Sequence, residues 1–441
     1  MNVFRKLLVF SVLLTSLSLY AQEFDKSRMD SLFSIIENND RGMGSISLFH
    51  HGEEIYSNSY GYANVEQEVS SGENTIYRIG SVSKTFTATL IMMLVEKGEL
   101  SLFDPLSKFF PDIQQAENIT IDDLLGHRSG LFNFTNSPDY LKYHTSFHSR
   151  ENLLEIITGY PMVFDPGEKG EYSNTNYVLL TFIAEDVTGK SYADLVAELI
   201  AEPLGLQNTY VGQSPASSQH EARSYTRAGG WNLEAETDMS IPLGAGAIVS
   251  TPHDMNVFLY NLFEGNLVSR ATLRQMMITR DGYGMGMFQV PFYDKVGYGH
   301  TGGIDGFQAN ASLFPEENFS VAFASNAVGY PMNDILIGVL SIYFGKGYDL
   351  PEFLPAVALT PEELELYSGV YASPELPIKL TIFAENNVLM AQGAGQPSFA
   401  LEATGNHIFR AEQIQLELEF KPEDNMLILK QGGAVFEMDR E

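Results

Sequence analysis

Residues 78–100 read RIGSVSKTFTATLIMMLVEKGEL. From Phe86 to Val95 nearly every residue is apolar and Gly98 supplies a stop, so the stretch predicts a buried helix. Its first turn carries a hydroxyl at Ser81 and an amine at Lys84. Residues three apart are neighbours on a helix surface, so the two groups can meet. A serine hydroxyl is a poor nucleophile unless a base lies within hydrogen-bond reach, and a desolvated lysine can be that base. Phe86 and Leu90 offer the apolar surroundings. The helix N-terminus adds positive potential and free N–H groups, suited to an oxyanion. The alternative is an N-cap serine beside a lysine whose stem snorkels to solvent. This serine-x-x-lysine is the only one in the chain. Roughly one is expected by chance, so the pair needs context.

The flanks supply a fold class. Asp25 to Asn38 has helical spacing, with Met29, Leu32, Ile35 and Ile36 on one side. GSISLFHHGEEIYSNSYGYAN, residues 44–64, predicts a hairpin turning at His51-Gly52. Residues 100–280 alternate short helices with Gly- and Pro-marked loops. Strands follow in MGMFQVPF, KVGYGH, FQANASLFP and FSVAFASN, then a helix around Asp334 to Phe344. The pattern predicts an α+β fold: one antiparallel sheet built from both ends of the domain and flanked by helices, with a mostly helical region between. Residues 345–364 carry three prolines and predict a linker. Beyond it, IQLELEF alternates from Ile414 to Phe420. With turns at Glu385-Asn386-Asn387 and Glu423-Asp424-Asn425, this predicts a small all-β barrel or sandwich.

Composition narrows the setting. MNVFRK is a basic start, LLVFSVLLTSLSL an apolar run too short to span a bilayer, and Ala21 a small residue before Gln22. A cleaved secretory leader, residues 1–21, is expected, so the protein is expected to be exported, periplasmic or secreted; a retained anchor is the alternative. The remaining divisions expected are a hydrolase domain at 22–345, a linker at 346–360 and a β-rich domain at 361–441. The chain has no cysteine, which removes disulfides and thiol nucleophiles together. Net charge is −30, and −32 once Arg5 and Lys6 leave with the leader. Such a field repels nucleic acid and anionic lipid.

RIGSVSKTFTA, entered through strand-like Tyr77-Arg78-Ile79, resembles the serine β-lactamase and penicillin-binding protein superfamily, nearest its class C and DD-peptidase branch. That family carries S-x-x-K, then Y-x-N, then K-T-G or H-T-G, in this chain order. Here EYSNTNY holds Tyr172 and Asn174, and GYGHTGGIDGF holds His300, Thr301 and Gly302. Y-x-N also occurs at Tyr56 and at Tyr62, but both precede Ser81 and are assigned to strands. Family-like stretches recur as LLGHRSGL at 124–131, AEPLGLQNTYV at 201–211, GAGAIVSTPHDM at 244–255 and SNA at 325–327. The tail beyond residue 360 resembles the β-barrel appendage of some of these hydrolases.

The resemblance implies a serine hydrolase working by acyl transfer. Ser81 would attack a carbonyl, and Lys84 and Tyr172 would share its proton. Asn174, His300 and Thr301 would bind substrate, and the N–H groups of Ser81 and Gly303 would form the oxyanion hole. No metal and no cofactor is implied, and the partner is a small molecule or peptide carrying an acyl group. An adjacent ammonium would lower the Tyr172 phenol from its usual value near 10. Which of Lys84 and Tyr172 is the base stays open. His127 is read as a structural hydrogen-bonding residue. A lysine in place of His300 would be a fixed cation for a substrate carboxylate, whereas histidine is largely neutral near pH 7. This departure points away from an efficient β-lactamase and toward D-alanyl peptidases and related D-amino-acid amide or ester hydrolases. A β-lactamase proper, a broad carboxylesterase and a catalytically silent penicillin-binding or assembly protein are the alternatives.

Overall fold

The computed structural model describes residues 24–214 and 218–441, so the expected leader at 1–21 lies outside the described residues. The stretch around Ser81 begins as a short strand, Tyr77–Arg78, paired antiparallel with Ile248–Ser250. A single 3-10 turn, Gly80–Val82, precedes the helix Ser83–Glu96. Ser81 therefore sits in the turn before the helix and Lys84 within its first turn. Gly80 makes this turn possible. Its φ is +50°, and a Cβ there would stand 2.8 Å from the backbone nitrogen of Gly303. Every residue from Ser83 to Met92 is buried, and Phe86 stacks on Phe258 with ring centroids 3.7 Å apart. A helix buried all round requires its apolar run. Gly98, at φ +74°, lies just past its end.

The main sheet runs Phe288–Phe292, Lys295–Ile304, Phe307–Phe314, Phe319–Val328, Gly42–His50, Glu53–Tyr60, each strand antiparallel to the next. The amino-terminal hairpin thus docks on the carboxy-terminal strands, with Ser47 opposite Ala322. A smaller hairpin, Tyr225–Arg227 and Trp231–Leu233, joins at Ala327. Side chains along Phe319–Val328 alternate between two cores. Val321 and Phe323 pack with Met29, Phe33, Ile335 and Val339 of the helices Lys26–Asn38 and Met332–Tyr343. Ala322 and Ala324 join the larger core that holds the serine helix and the helix Pro252–Glu264. The architecture is the α+β arrangement expected, with the sheet built from both ends of the domain.

The tail forms a closed eight-stranded antiparallel barrel, in which Gly369–Ser373 meets Ala434–Arg440. Asn386, Asn387 and Asn425 take left-handed conformations at the anticipated turns. The alternating strand begins later than its pattern indicates. Glu412–Ile414 is a helical turn, Gln415 is left-handed at φ +51°, and the strand is Leu416–Lys421. Ile414 is 43% exposed, whereas Leu416, Leu418 and Phe420 are buried. Alternation continued past the strand because the turn happened to place an apolar residue at the right parity. The proline-marked segment is irregular through Ala358 and Leu359, but its end, Pro361–Glu365, is helical and capped by Thr360.

Candidate active site

Two side chains, Lys84 and Tyr172, converge on the Ser81 hydroxyl. Lys84 Nζ lies 2.9 Å from Ser81 Oγ, 2.7 Å from Asn174 Oδ1 and 2.7 Å from the carbonyl oxygen of Ala245. The Lys84 side chain is fully buried, and burial pushes its pKa well below the usual lysine range. The neutral amine has two N–H bonds and one lone pair. Lys84 Nζ donates to Asn174 Oδ1 and Ala245 O, which accept only, so once the amine is neutral its lone pair is left for the Ser81 hydroxyl. Tyr172 then donates its own proton to Ser81 Oγ, at 2.8 Å.

Tyr172 departs from the expectation for its phenol. Burial raises its pKa above the usual tyrosine value, outweighing the hydrogen bond to Ser81, which lowers it. The anticipated lowering needed an ammonium next door. Lys84 sits over the Tyr172 ring, 4.8 Å from its centroid, but burial of the phenol is the larger effect. His127 packs against the other rings of this group, 4.5 Å from the Tyr172 centroid. Its Nδ1 accepts from the Ser173 backbone N–H at 3.2 Å, and burial keeps it neutral. It therefore occupies a hydrogen-bonding position that orients the Tyr172 segment.

Asn174 opens the helix Asn174–Thr188. Its oxygen receives the Lys84 amine, and its Nδ2 donates to Thr135 Oγ1 at 3.0 Å. Its backbone N–H donates to Asn133 Oδ1 at 3.0 Å. Each end of the amide makes one contact within the protein, which leaves a second N–H and a second lone pair for a substrate amide. Asn133, Thr135 and the Ala245 carbonyl escaped the sequence reading. Two are ordinary polar residues at the 3-10 turn Phe134–Asn136 and the third acts through its backbone, so no residue type announces them.

The strand Lys295–Ile304 brings the third motif to the serine. Phe288–Phe292 pairs with it only as far as Gly299, so the outer backbone edge from His300 onward is free of that neighbour and lies along the serine turn. The approach is close. A Cβ on Gly302 would fall 2.0 Å from the Ile79 carbonyl oxygen and 3.0 Å from the Ser81 backbone nitrogen. Gly303, against Gly80, is likewise in reach of the turn. Thr301 is half-buried beside them. His300 is buried, and its Nδ1 donates to the Thr301 carbonyl at 2.5 Å. Burial, with Lys84 nearby, lowers its pKa to about 3, so the ring is neutral.

A pH dependence of stability follows. In the unfolded chain His300 binds a proton below about 6.5, while in the folded protein it stays neutral down to about 3. Its stabilising contribution is whole above pH 6.5 and is lost as pH falls toward 3, at about 1.4 kcal/mol per unit. Thermal melts between pH 7 and 4 should show that decline, and His300→Asn should shed part of the slope.

Other charged groups nearby are committed. Arg78 donates to Glu236 at 2.8 Å, Asp305 at 3.3 Å and the Thr237 carbonyl at 2.7 Å. His144 and His148, four apart in the chain, place their Nδ1 atoms against the carbonyls of Leu141 and Ser146. Among the described residues no group of three His, Cys, Asp or Glu side chains is placed to hold a metal ion.

Comparison with known proteins bears on this geometry. Residues 34–338 match the beta-lactamase family. The teichoic acid D-alanine hydrolase of Staphylococcus aureus is 27% identical over 319 residues, spanning 70% of this chain and 74% of its own. A penicillin-binding protein of Bacillus subtilis is 27% identical over 433 residues, 90% of this chain and 93% of its own. The D-amino acid amidase of Ochrobactrum anthropi, solved with D-phenylalanine, aligns at a TM-score of 0.63 and 25% identity, covering 72% of this chain and 99% of that one. The chain belongs to the beta-lactamase family.

Proposed function

We propose that this protein is an exported serine hydrolase that forms an acyl-enzyme on Ser81 and takes D-alanyl esters, amides or peptides. The carrying observation is the Ser81 hydroxyl held between the Lys84 amine, whose pKa burial lowers, and the Tyr172 phenol, whose pKa burial raises. As Ser81 Oγ attacks the carbonyl carbon, its proton passes to the Lys84 lone pair and the carbonyl oxygen becomes an oxyanion. The N–H groups of Ser81 and Gly303 stabilise that oxyanion. The Tyr172 hydroxyl protonates the departing oxygen or nitrogen and recovers its proton from Lys84. Water then repeats the sequence on the acyl-enzyme, and the acid leaves with Ser81 restored.

The substrate class rests on two supports. Relatives bearing the names D-alanine hydrolase and D-amino acid amidase align over most of the chain. His300, neutral and buried, offers no fixed cation to a carboxylate on the leaving side, which favours D-alanyl esters and amides over β-lactams. The test is a panel of D-alanyl nitrophenyl ester, D-alanine amide, a D-Ala-D-Ala peptide and a chromogenic cephalosporin. The ester and amide should be turned over with the highest kcat/KM, and fluorescent penicillin should label Ser81 but leave slowly. A cephalosporin hydrolysed faster than every D-alanyl compound would overturn the assignment.

A further inference from the structure

A cavity of about 540 Å³ lies where one end of the barrel meets the main sheet and the Tyr225–Leu233 hairpin. The barrel lumen is filled by Leu418, Phe420 and Phe409, so the space is at the mouth and not within. Barrel mouths and domain interfaces are frequent places for small-molecule sites. One wall is apolar, made by Val357 and Leu359 of the linker segment and Leu401 and Phe409 of the barrel. The tip of the hairpin closes another side, since a Cβ on Gly229 would meet Val388 Cγ2 at 2.6 Å.

The polar wall carries three arginines, Arg41, Arg227 and Arg410, and three acids, Asp40, Glu402 and Glu412. Arg41 is 4% exposed, donates through Nη1 to Glu402 and stacks its guanidinium on Phe353, 5.0 Å from the ring centroid. Arg227 donates to the other oxygen of Glu402 at 3.1 Å and to the Asp40 carbonyl at 2.6 Å. Two guanidiniums thus share one partly buried carboxylate. The second acid, Asp40, stands 3.9 Å from Arg227 and is 59% exposed at the rim. Arg410, also on the cavity, is committed to Glu417. Arg41 Nε is buried and has no hydrogen-bond partner among the described residues. A buried donor without an acceptor is costly, and a guanidinium edge suits a carboxylate or phosphate oxygen.

We propose that this cavity is a second ligand site, taking an amphiphile whose single acidic head group meets Arg41 and Arg227 and whose apolar body lies against Val357, Leu401 and Phe409. It is separate from the reading of Ser81 and stands without it. Titration calorimetry on the full chain carrying Ser81→Ala, which forms no acyl-enzyme, tests it with decanoate, decyl phosphate, decanol and inorganic phosphate. One equivalent of decanoate or decyl phosphate should bind at least tenfold more tightly than decanol or inorganic phosphate, the tighter of the two naming the head group. Arg41→Gln should weaken that binding at least tenfold. Ala400→Trp, which fills the cavity from the barrel side and removes no charge, should abolish it; a melting temperature near that of the parent controls for folding. Absence of saturable binding, decanol binding as tightly as the acids, or binding unchanged in Ala400→Trp would each overturn the site.

Discussion

Ser81→Ala is expected to lower kcat/KM by about 10⁴-fold on every substrate the protein turns over. Ser81 Oγ is the atom on which the Lys84 amine and the Tyr172 hydroxyl both converge, at 2.9 and 2.8 Å. Without it the base has no proton to take and the carbonyl has no nucleophile, while the oxyanion donors and substrate contacts persist. Those survivors account for residual catalysis above water. Ser81 is half-buried in a turn, so removing one oxygen leaves no sizeable cavity and the melting temperature should move by no more than a few degrees. Intact-protein mass spectrometry after substrate addition gives the second readout: an acyl adduct on the parent and none on the variant. Turnover above a tenth of the parent's would place the chemistry elsewhere.

Lys84→Arg is expected to be nearly as damaging, about 10²–10⁴-fold in kcat. The substitution keeps a cation at the site but removes the ability to be neutral, since a guanidinium does not deprotonate in proteins. If the positive charge were what mattered, arginine would rescue; if the lone pair matters, arginine fails as alanine does. The pH profile carries the same logic. The active form of Lys84 is the neutral one, so parent activity is present above its lowered pKa and falls as pH drops through it. Tyr172 must keep its proton, and burial keeps it on above the usual tyrosine value, so no alkaline decline should appear up to pH 10. Steady-state rates from pH 5 to 10 check both limbs. Retention of a third of the activity by Lys84→Arg would refute the amine as base.

Much of the architecture was legible because it depends on periodicity and chain order. The buried serine helix shows in the length of its apolar run and its Gly98 stop, and the hairpin and late strands in short apolar runs between turn residues. The convergence of Ser81, Lys84 and Tyr172 was legible for another reason: their spacing and sequence order leave a motif. What escaped depended on environment. The Lys84 pKa is lowered by burial, and its Nζ meets Ala245 and Asn174, residues 161 and 90 positions away. The expected lowering of the Tyr172 pKa failed because burial of the phenol itself raises it. Ile414 shows the local counterpart. Hydropathy alternates straight through a helical turn, and only the left-handed Gln415 marks where the strand starts.

The pairing of Gly42–His50 with Phe319–Val328 has a consequence for biogenesis. The first hairpin is synthesised long before its partner strand emerges, so its open edge must wait through some 270 residues of chain. Such distant contacts delay folding, because loop closure precedes any reward. Until residue 328 is made, the nascent protein exposes an unpaired strand edge that invites association with other chains.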